Sequence, residues 1–221
     1  MLICIDAGHG RYTPGKRCMA AIDPKETREW VLNSRIADKL QAILAVYDVD
    51  TMRADDVTGE RDVSLGERCR RANEAGADLY LSIHHNAGVK GGDGGGIVVF
   101  TAPRCQKQSR KARDTLYRHL VSRTALRGNR ADPMGEKRLY VLEHTKMPAV
   151  LCECGFMDST TDTPIILTEE FADRAALGLR DALVELYGLN AREMEPGYRA
   201  WLGHLEQYRR EGGRGLWDRR L

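Results

Sequence analysis

No stretch of this 221-residue chain approaches the roughly 18 consecutive apolar residues of a membrane span, so membrane insertion is not expected. The amino terminus, Met1-Leu2-Ile3-Cys4-Ile5-Asp6, lacks the basic start and long apolar core of a signal peptide, and synthesis in the cytoplasm is the expectation. An excess of either charge is missing too. The 34 Lys and Arg nearly cancel the 32 Asp and Glu, leaving a formal +2 that gives no reason to expect nucleic acid as a partner. Six cysteines (Cys4, Cys18, Cys69, Cys105, Cys152 and Cys154) lack the paired spacing of a zinc ribbon, and a chain with this much core has no need of disulfides. They are read as free thiols. Internal repeats and low-complexity tracts are absent, and Gly94-Gly95-Gly96 is too irregularly spaced for a phosphate loop.

What the chain does have is two short apolar runs that each end in histidine. Leu2-Ile3-Cys4-Ile5 leads to Asp6-Ala7-Gly8-His9, and Leu79-Tyr80-Leu81-Ser82-Ile83 leads to His84-His85-Asn86. In an open parallel sheet, ligands gather at the carboxyl ends of strands, so such histidines can meet although far apart in sequence. A third run, Pro148 to Cys152, delivers Glu153 to the same edge. The pattern points to a hydrolytic metal centre. Strand alternation puts Cys152 and Cys154 on the face away from Glu153.

Strands and helices alternate along the chain, which predicts an α/β fold: a single, mostly parallel twisted sheet flanked by helices. Asp23-Pro24-Lys25-Glu26 reads as a capped helix start, with the helix running to about Val46. Its apolar stripe, Leu32, Ile36, Leu40 and Ile43, is extended toward the amino end by Asn33 and Glu29. A carboxylate on a buried face must be paired, protonated or bound to a cation. Pairing of Glu29 with Arg11 or Arg28 is the plainer alternative. Further helices are read at Ser64–Ala75, Gln106–Thr124 and Phe171–Tyr187, and extended segments at Val46–Arg53 and Arg138–Leu142. Residues 1–189 form the expected catalytic domain. Residues 190–221 are Arg-rich and read as a C-terminal helical extension, which packs on the domain, binds an anionic polymer or mediates self-association.

Four separated segments now carry a resemblance. Asp6-Ala7-Gly8-His9-Gly10, Glu29 ahead of Ile36-Ala37, Ser82-Ile83-His84-His85-Asn86-Ala87, and Ala149-Val150-Leu151-Cys152-Glu153-Cys154-Gly155-Phe156 together resemble the zinc-dependent N-acetylmuramoyl-L-alanine amidases of bacterial cell-wall hydrolases and phage endolysins. The resemblance extends from about Leu2 to Tyr187. It implies that His9, Glu29 and His84 hold one catalytic Zn2+, that Glu153 is the catalytic carboxylate, and that peptidoglycan is the substrate. Two imidazoles and a carboxylate are typical of catalytic zinc, which keeps one coordination position open. Zinc there lowers the pKa of water to roughly 7 and polarises a carbonyl, while a nearby carboxylate carries the proton to the departing amine.

The same resemblance selects His84 over its neighbour His85, which lines the substrate groove or sits on the surface. Asn86 holds the loop or contacts substrate. Segments 96–101 and 138–142, with Arg138, border the groove. His119, His144 and His204 are read as solvated, and Glu26 as a capping residue. Ala7 and Gly10-Arg11 stand where many relatives have a proline and paired glycines. A phage or prophage endolysin acting on the wall after release is the expected setting, with a mother-cell sporulation hydrolase second. A zinc peptidase acting on stem peptides and a catalytically silent wall-binding module are the alternative functions; the silent module would be expected to lack one of the four site residues.

Overall fold

Apolar residues alternate along the strands in two sets, and each set is buried, which is why this sheet is covered on both faces. In the computed structural model, residues 1–192 are described. The strands are β1 (Leu2–Ala7), β2 (Asp50–Arg53), β3 (Leu79–Asn86), β4 (Ile97–Thr101), β5 (Met134–Glu136) and β6 (Ala149–Phe156). The helices are α1 (Glu29–Leu44), α2 (Leu65–Glu74), α3 (Lys107–Thr124), α4 (Tyr140–Glu143), α5 (Thr163–Ile166) and α6 (Glu169–Tyr187). The strands form one sheet in the order β2-β1-β3-β6-β4-β5, parallel except for the β4–β6 pair.

Ile3, Ile5, Leu81, Ile83, Val150, Cys152 and Cys154 face α1, α3 and α6 and merge with Leu32, Ile36, Leu40, Leu116, Leu120 and Leu179 in the larger core. Cys4, Tyr80, Leu151 and Phe156 face the other way, against Cys69 and Ala72 of α2 and Val141 and Leu142 of α4. Cys152 and Cys154 are thus on the opposite face from Glu153, as alternation requires. Among the described residues no helix is long and apolar enough to cross a membrane. The expected helix in the tail lies outside the described residues.

Two local expectations are corrected. The capping pattern at Asp23 closes a turn instead of starting a helix: the Asp23 carboxylate accepts from the Lys25 and Thr27 amides, and Glu26 takes a left-handed φ of 47° that no helix start tolerates. Glu26 pairs with Arg17 at 3.0 Å. Helix α1 begins at Glu29, whose amide donates to the Lys16 carbonyl at 3.0 Å, so the preceding loop supplies a partner for this helix end. The second correction is at 138–142, where the chain turns into the short helix α4 while the edge strand β5 forms earlier, at Met134–Glu136.

Ser64 caps α2 by accepting from the Glu67 amide at 3.2 Å, and Thr168 caps α6 by accepting from the Phe171 amide at 3.1 Å. These caps fix where the helices enter the sheet edge. The site is built there.

Candidate active site and metal centre

Even-numbered residues of β1 and β3 and odd-numbered residues of β6 share one face, so Asp6, Ser82, His84 and Glu153 are delivered together at the carboxyl end of the parallel strands. His84 and Glu153 are paired in register across β3 and β6. His9 lies just beyond β1 in a left-handed conformation, φ 69°, which a non-glycine residue adopts only when its surroundings enforce it. Arg68 supplies that enforcement. Its guanidinium, 1% exposed, donates to the carbonyls of Ala7 and His9 at 2.8 Å each and to Asp6 Oδ1 at 2.6 Å. Ser82 Oγ donates to the other Asp6 oxygen at 2.8 Å.

Glu29, the first residue of α1, is 1% exposed and lies between the two imidazoles. His84 Nδ1 is 3.0 Å from Glu29 Oε1, and His9 Nε2 is 3.3 Å from Oε2. The rings meet edge to face at 4.9 Å between centroids. Burial alone would raise the Glu29 pKa, but hydrogen bonding and charge from His84 and His9 outweigh it and hold the carboxyl below its ordinary range. His84 is opposed by burial and raised overall by Glu29. Arg11 and Arg28 turn elsewhere, to Glu60 and to the Thr13 carbonyl.

The three residues fit a metal ion. One ligand atom from each of His9, Glu29 and His84 falls within 4.8 Å of the others. Among the described residues, Glu29 Oε2 is buried and faces only cationic or metal-ligating nitrogens, His9 Nε2 at 3.3 Å and the Lys16 ammonium at 3.8 Å, without a well-aligned hydrogen bond, a setting that suits a cation. Gly8 makes room for this arrangement, since a side chain there would run into the His84 ring.

Glu153 lines the same cleft, whose volume is about 460 Å³. Burial pushes its carboxyl up, the His84 charge opposes this, the Glu29 charge adds to it, and the result is about 7. Its Oε2 has no hydrogen-bond partner among the described residues. A carboxylate poised near neutrality beside a metal-binding triad can give and take protons at physiological pH.

His85 is not a surface residue, although it borders the floor of the groove beside Asn86. It is 2% exposed beneath α1, with Nδ1 2.8 Å from Asn33 Oδ1, and burial drives its pKa down to about 3. Alternation along β3 explains this, because His85 must point away from His84. Asn33 Nδ2 donates to the Gly8 carbonyl at 3.1 Å, and the His85 amide donates to Glu29 Oε1 at 3.3 Å, so this buried pair props the ligand-bearing backbone from below. Asn86 accepts from the Ala87 amide at 2.9 Å and lines a shallower extension of the groove. Arg138 lines a separate depression with Arg104, Gln106 and Glu143. His119 pairs with Glu185, and His144 stacks on Tyr140. Arg68, Lys16 and Tyr140 all line the cleft and were not marked by the sequence. An arginine beside Cys69 and Ala72 on the buried side of α2 was the available signal for Arg68.

The profile of the N-acetylmuramoyl-L-alanine amidase family matches residues 3–185. The chain is similar to the endolysin of Bacillus phage SPP1, 32% identical over 199 residues that cover 86% of this chain and 68% of that protein. It is similar also to the sporulation-specific N-acetylmuramoyl-L-alanine amidase of Bacillus subtilis, 28% identical over 91% of this chain and 74% of that one. Among solved structures, the N-acetylmuramoyl-L-alanine amidase of Clostridium difficile 630 superposes with a TM-score of 0.75 at 28% identity, covering 83% of this chain and 95% of the other. Fold and sequence therefore agree, and the chain belongs to the N-acetylmuramoyl-L-alanine amidase family, whose substrate is peptidoglycan.

Proposed function

We propose that this chain is a zinc amidase that hydrolyses the bond between the lactyl carbonyl of N-acetylmuramic acid and L-alanine, with His9, Glu29 and His84 as the ligands of one zinc ion and Glu153 as the catalytic carboxylate. The observation that carries this reading is the buried Glu29 carboxylate between two imidazoles, with Glu153 set beside His84 in the next strand. When bound, zinc supplies Lewis-acid chemistry, polarising the amide carbonyl and making water a better acid.

Everything else falls to the protein's own groups. Glu153, ionised, removes a proton from the attacking water, and its own raised affinity for protons lets it hold that proton until the C–N bond breaks. It then passes the proton to the departing alanine nitrogen, and the lactyl acid that forms gives up its own proton to the freed amine, leaving an ammonium and a lactyl carboxylate. Asn33, His85 and Arg68 keep the ligand-bearing backbone in place throughout. The setting we infer is wall lysis by a phage or prophage endolysin, supported by similarity to the SPP1 endolysin.

Digestion of purified peptidoglycan by zinc-loaded protein, with Glu153→Ala as control and mass spectrometry of the fragments, tests the chemistry. New L-alanine amino termini, lost in the variant and on chelation, are expected. Cleavage inside the peptide would make the protein a peptidase, and zinc binding without product would make it a silent wall-binding module.

A further inference from the structure

We propose that substrate crosses the site in one direction only, with the muramic acid ring against Tyr140 and the peptide stem running out over Lys16 and Arg17. This rests on the amidase reading above and assigns the two arms of the groove that meet at His84 and Glu153.

The arms differ in chemistry. The deeper one is walled by Val63, Leu65, Leu139, Tyr140 and Leu151, with Asp62 at its rim. The shallower one is bordered by Pro14, Gly15, Arg17, Asn86 and Ala87, with Lys16 shared between the two. Large apolar side chains are seldom exposed on the described surface, yet Leu65 at 52% and Tyr140 at 42% stand together in the deeper arm. Tyr140 is also held in position. Its ring is stacked on His144, with centroids 3.9 Å apart and planes within 6°. His144 Nδ1 is 2.9 Å from the Tyr140 carbonyl, and the His144 carbonyl accepts from Asn73 Nδ2 at 2.9 Å. One face of the tyrosine is thus covered and its orientation set, leaving the remainder of the ring for a ligand.

The two halves of the substrate differ in the matching way. With its lactyl acid tied up in the amide, muramic acid carries no charge. Its pyranose ring offers a face of C–H bonds that suits the negative face of an aromatic ring, and its hydroxyls need acceptors. Asp62, with its side chain 47% exposed, has acceptor capacity beyond its bonds to Thr13 and Arg68. The stem peptide, by contrast, carries free carboxylates. Asp62 disfavours them at the rim of the deeper arm, whereas the shallower one presents Arg17 and opens from Lys16, half exposed where the two arms meet. The Lys16 ammonium lies 3.8 Å from Glu29 Oε2, and once that carboxylate serves a cation the ammonium is left to an anionic substrate.

The test is steady-state kinetics of the zinc-loaded protein on a soluble disaccharide-peptide with free carboxylates and on the same compound with its carboxylates methylated. Tyr140→Ala is expected to raise KM about five- to tenfold on both, with kcat within about twofold of the parent, and to remove inhibition by the free disaccharide. Tyr140→Trp, which keeps an aromatic face, is expected to restore KM. Lys16→Gln is expected to raise KM on the free acid alone, with zinc content unchanged. A Tyr140→Ala effect confined to the free acid would place the peptide in the deeper arm and overturn the assignment, as would unchanged KM and unchanged disaccharide inhibition. If the parent releases no L-alanine termini from either compound, the amidase reading itself falls and takes this assignment with it.

Discussion

Gly8→Ala tests the metal centre by steric means alone. The Gly8 amide donates to the Ile83 carbonyl at 3.0 Å and its carbonyl accepts from Asn33, bonds that alanine keeps because both are made by backbone. Gly8 is not among the glycines with positive φ, so no conformational penalty attaches to the substitution. The added Cβ, however, would lie 2.5 Å from His84 Nδ1 and nearer still to Cε1 and Nε2, where ordinary contact begins at 3.4 Å. The ring must retreat by about 1 Å, while ligand distances at a metal site tolerate only about ±0.2 Å. His84 therefore leaves the ligand set. Zinc affinity is expected to fall at least about 100-fold, or about 2.7 kcal/mol, in competition with a chromophoric chelator. Because His84 borders the open cleft, unfolding of the metal-free variant in guanidinium should shift by no more than about 1 kcal/mol. Parental zinc affinity in Gly8→Ala would refute His84 as a ligand held in this place.

The same geometry sets the outcome of other perturbations. Glu153→Gln should keep zinc yet lose about 10²- to 10⁴-fold in kcat. Glu153 acts when ionised, and a nearby cation lowers its pKa from the metal-free value of about 7, so kcat/KM of the parent should climb with pH along a limb centred below 7. Persistence of that limb in the glutamine variant would assign the proton transfer to another group. Arg68→Met leaves Asp6 buried without its partner and should cost about 3–5 kcal/mol in urea unfolding at pH 7; a cost below about 1 kcal/mol would show that Asp6 does not depend on it. Burial opposes ionisation of Asp6, but Arg68 holds its pKa below the ordinary carboxyl value, so the pair's stabilisation is complete above roughly pH 4 and fades as pH falls through that lowered value. Asp6→Asn should flatten this part of the acid-stability profile. Asn33→Leu should weaken zinc binding by about 10- to 100-fold in calorimetric titration, and unchanged affinity would reduce its role to packing.

The α/β plan was legible because strand runs and helical stripes alternate cleanly, and the four site positions stood out because His9, His84 and Glu153 each follow an apolar strand run and Glu29 extends a helical stripe. Asp23-Pro24-Lys25-Glu26 misled because a capping pattern is local and does not fix the conformation of the residues after it: here the aspartate closes on its own turn, and the helix waits for Glu29, whose amide the Lys16 carbonyl receives. The antiparallel setting of β4 against β6 was not legible, since hydrophobic patterning carries no strand direction. His85 was readable in principle. Applied one step further, the alternation that excluded it as a ligand also places it under α1. Tyr140 and Lys16 could not be found this way, because they reach the groove from short loops and a four-residue helix with no periodicity to read.

The origin of the three proposed ligands bears on how long the folded protein endures. His9 lies just beyond β1, Glu29 opens α1 and His84 lies near the end of β3, so a cation shared among them is also a cross-link between distant stretches of chain. Such a tie stabilises the folded chain because the cation binds it in preference to the unfolded one, and it needs no oxidising surroundings to form. All six cysteines are free, leaving the metal as the one candidate staple across this half of the sheet among the described residues. Metal supply would then set the lifetime of the enzyme against heat and proteases as well as its activity.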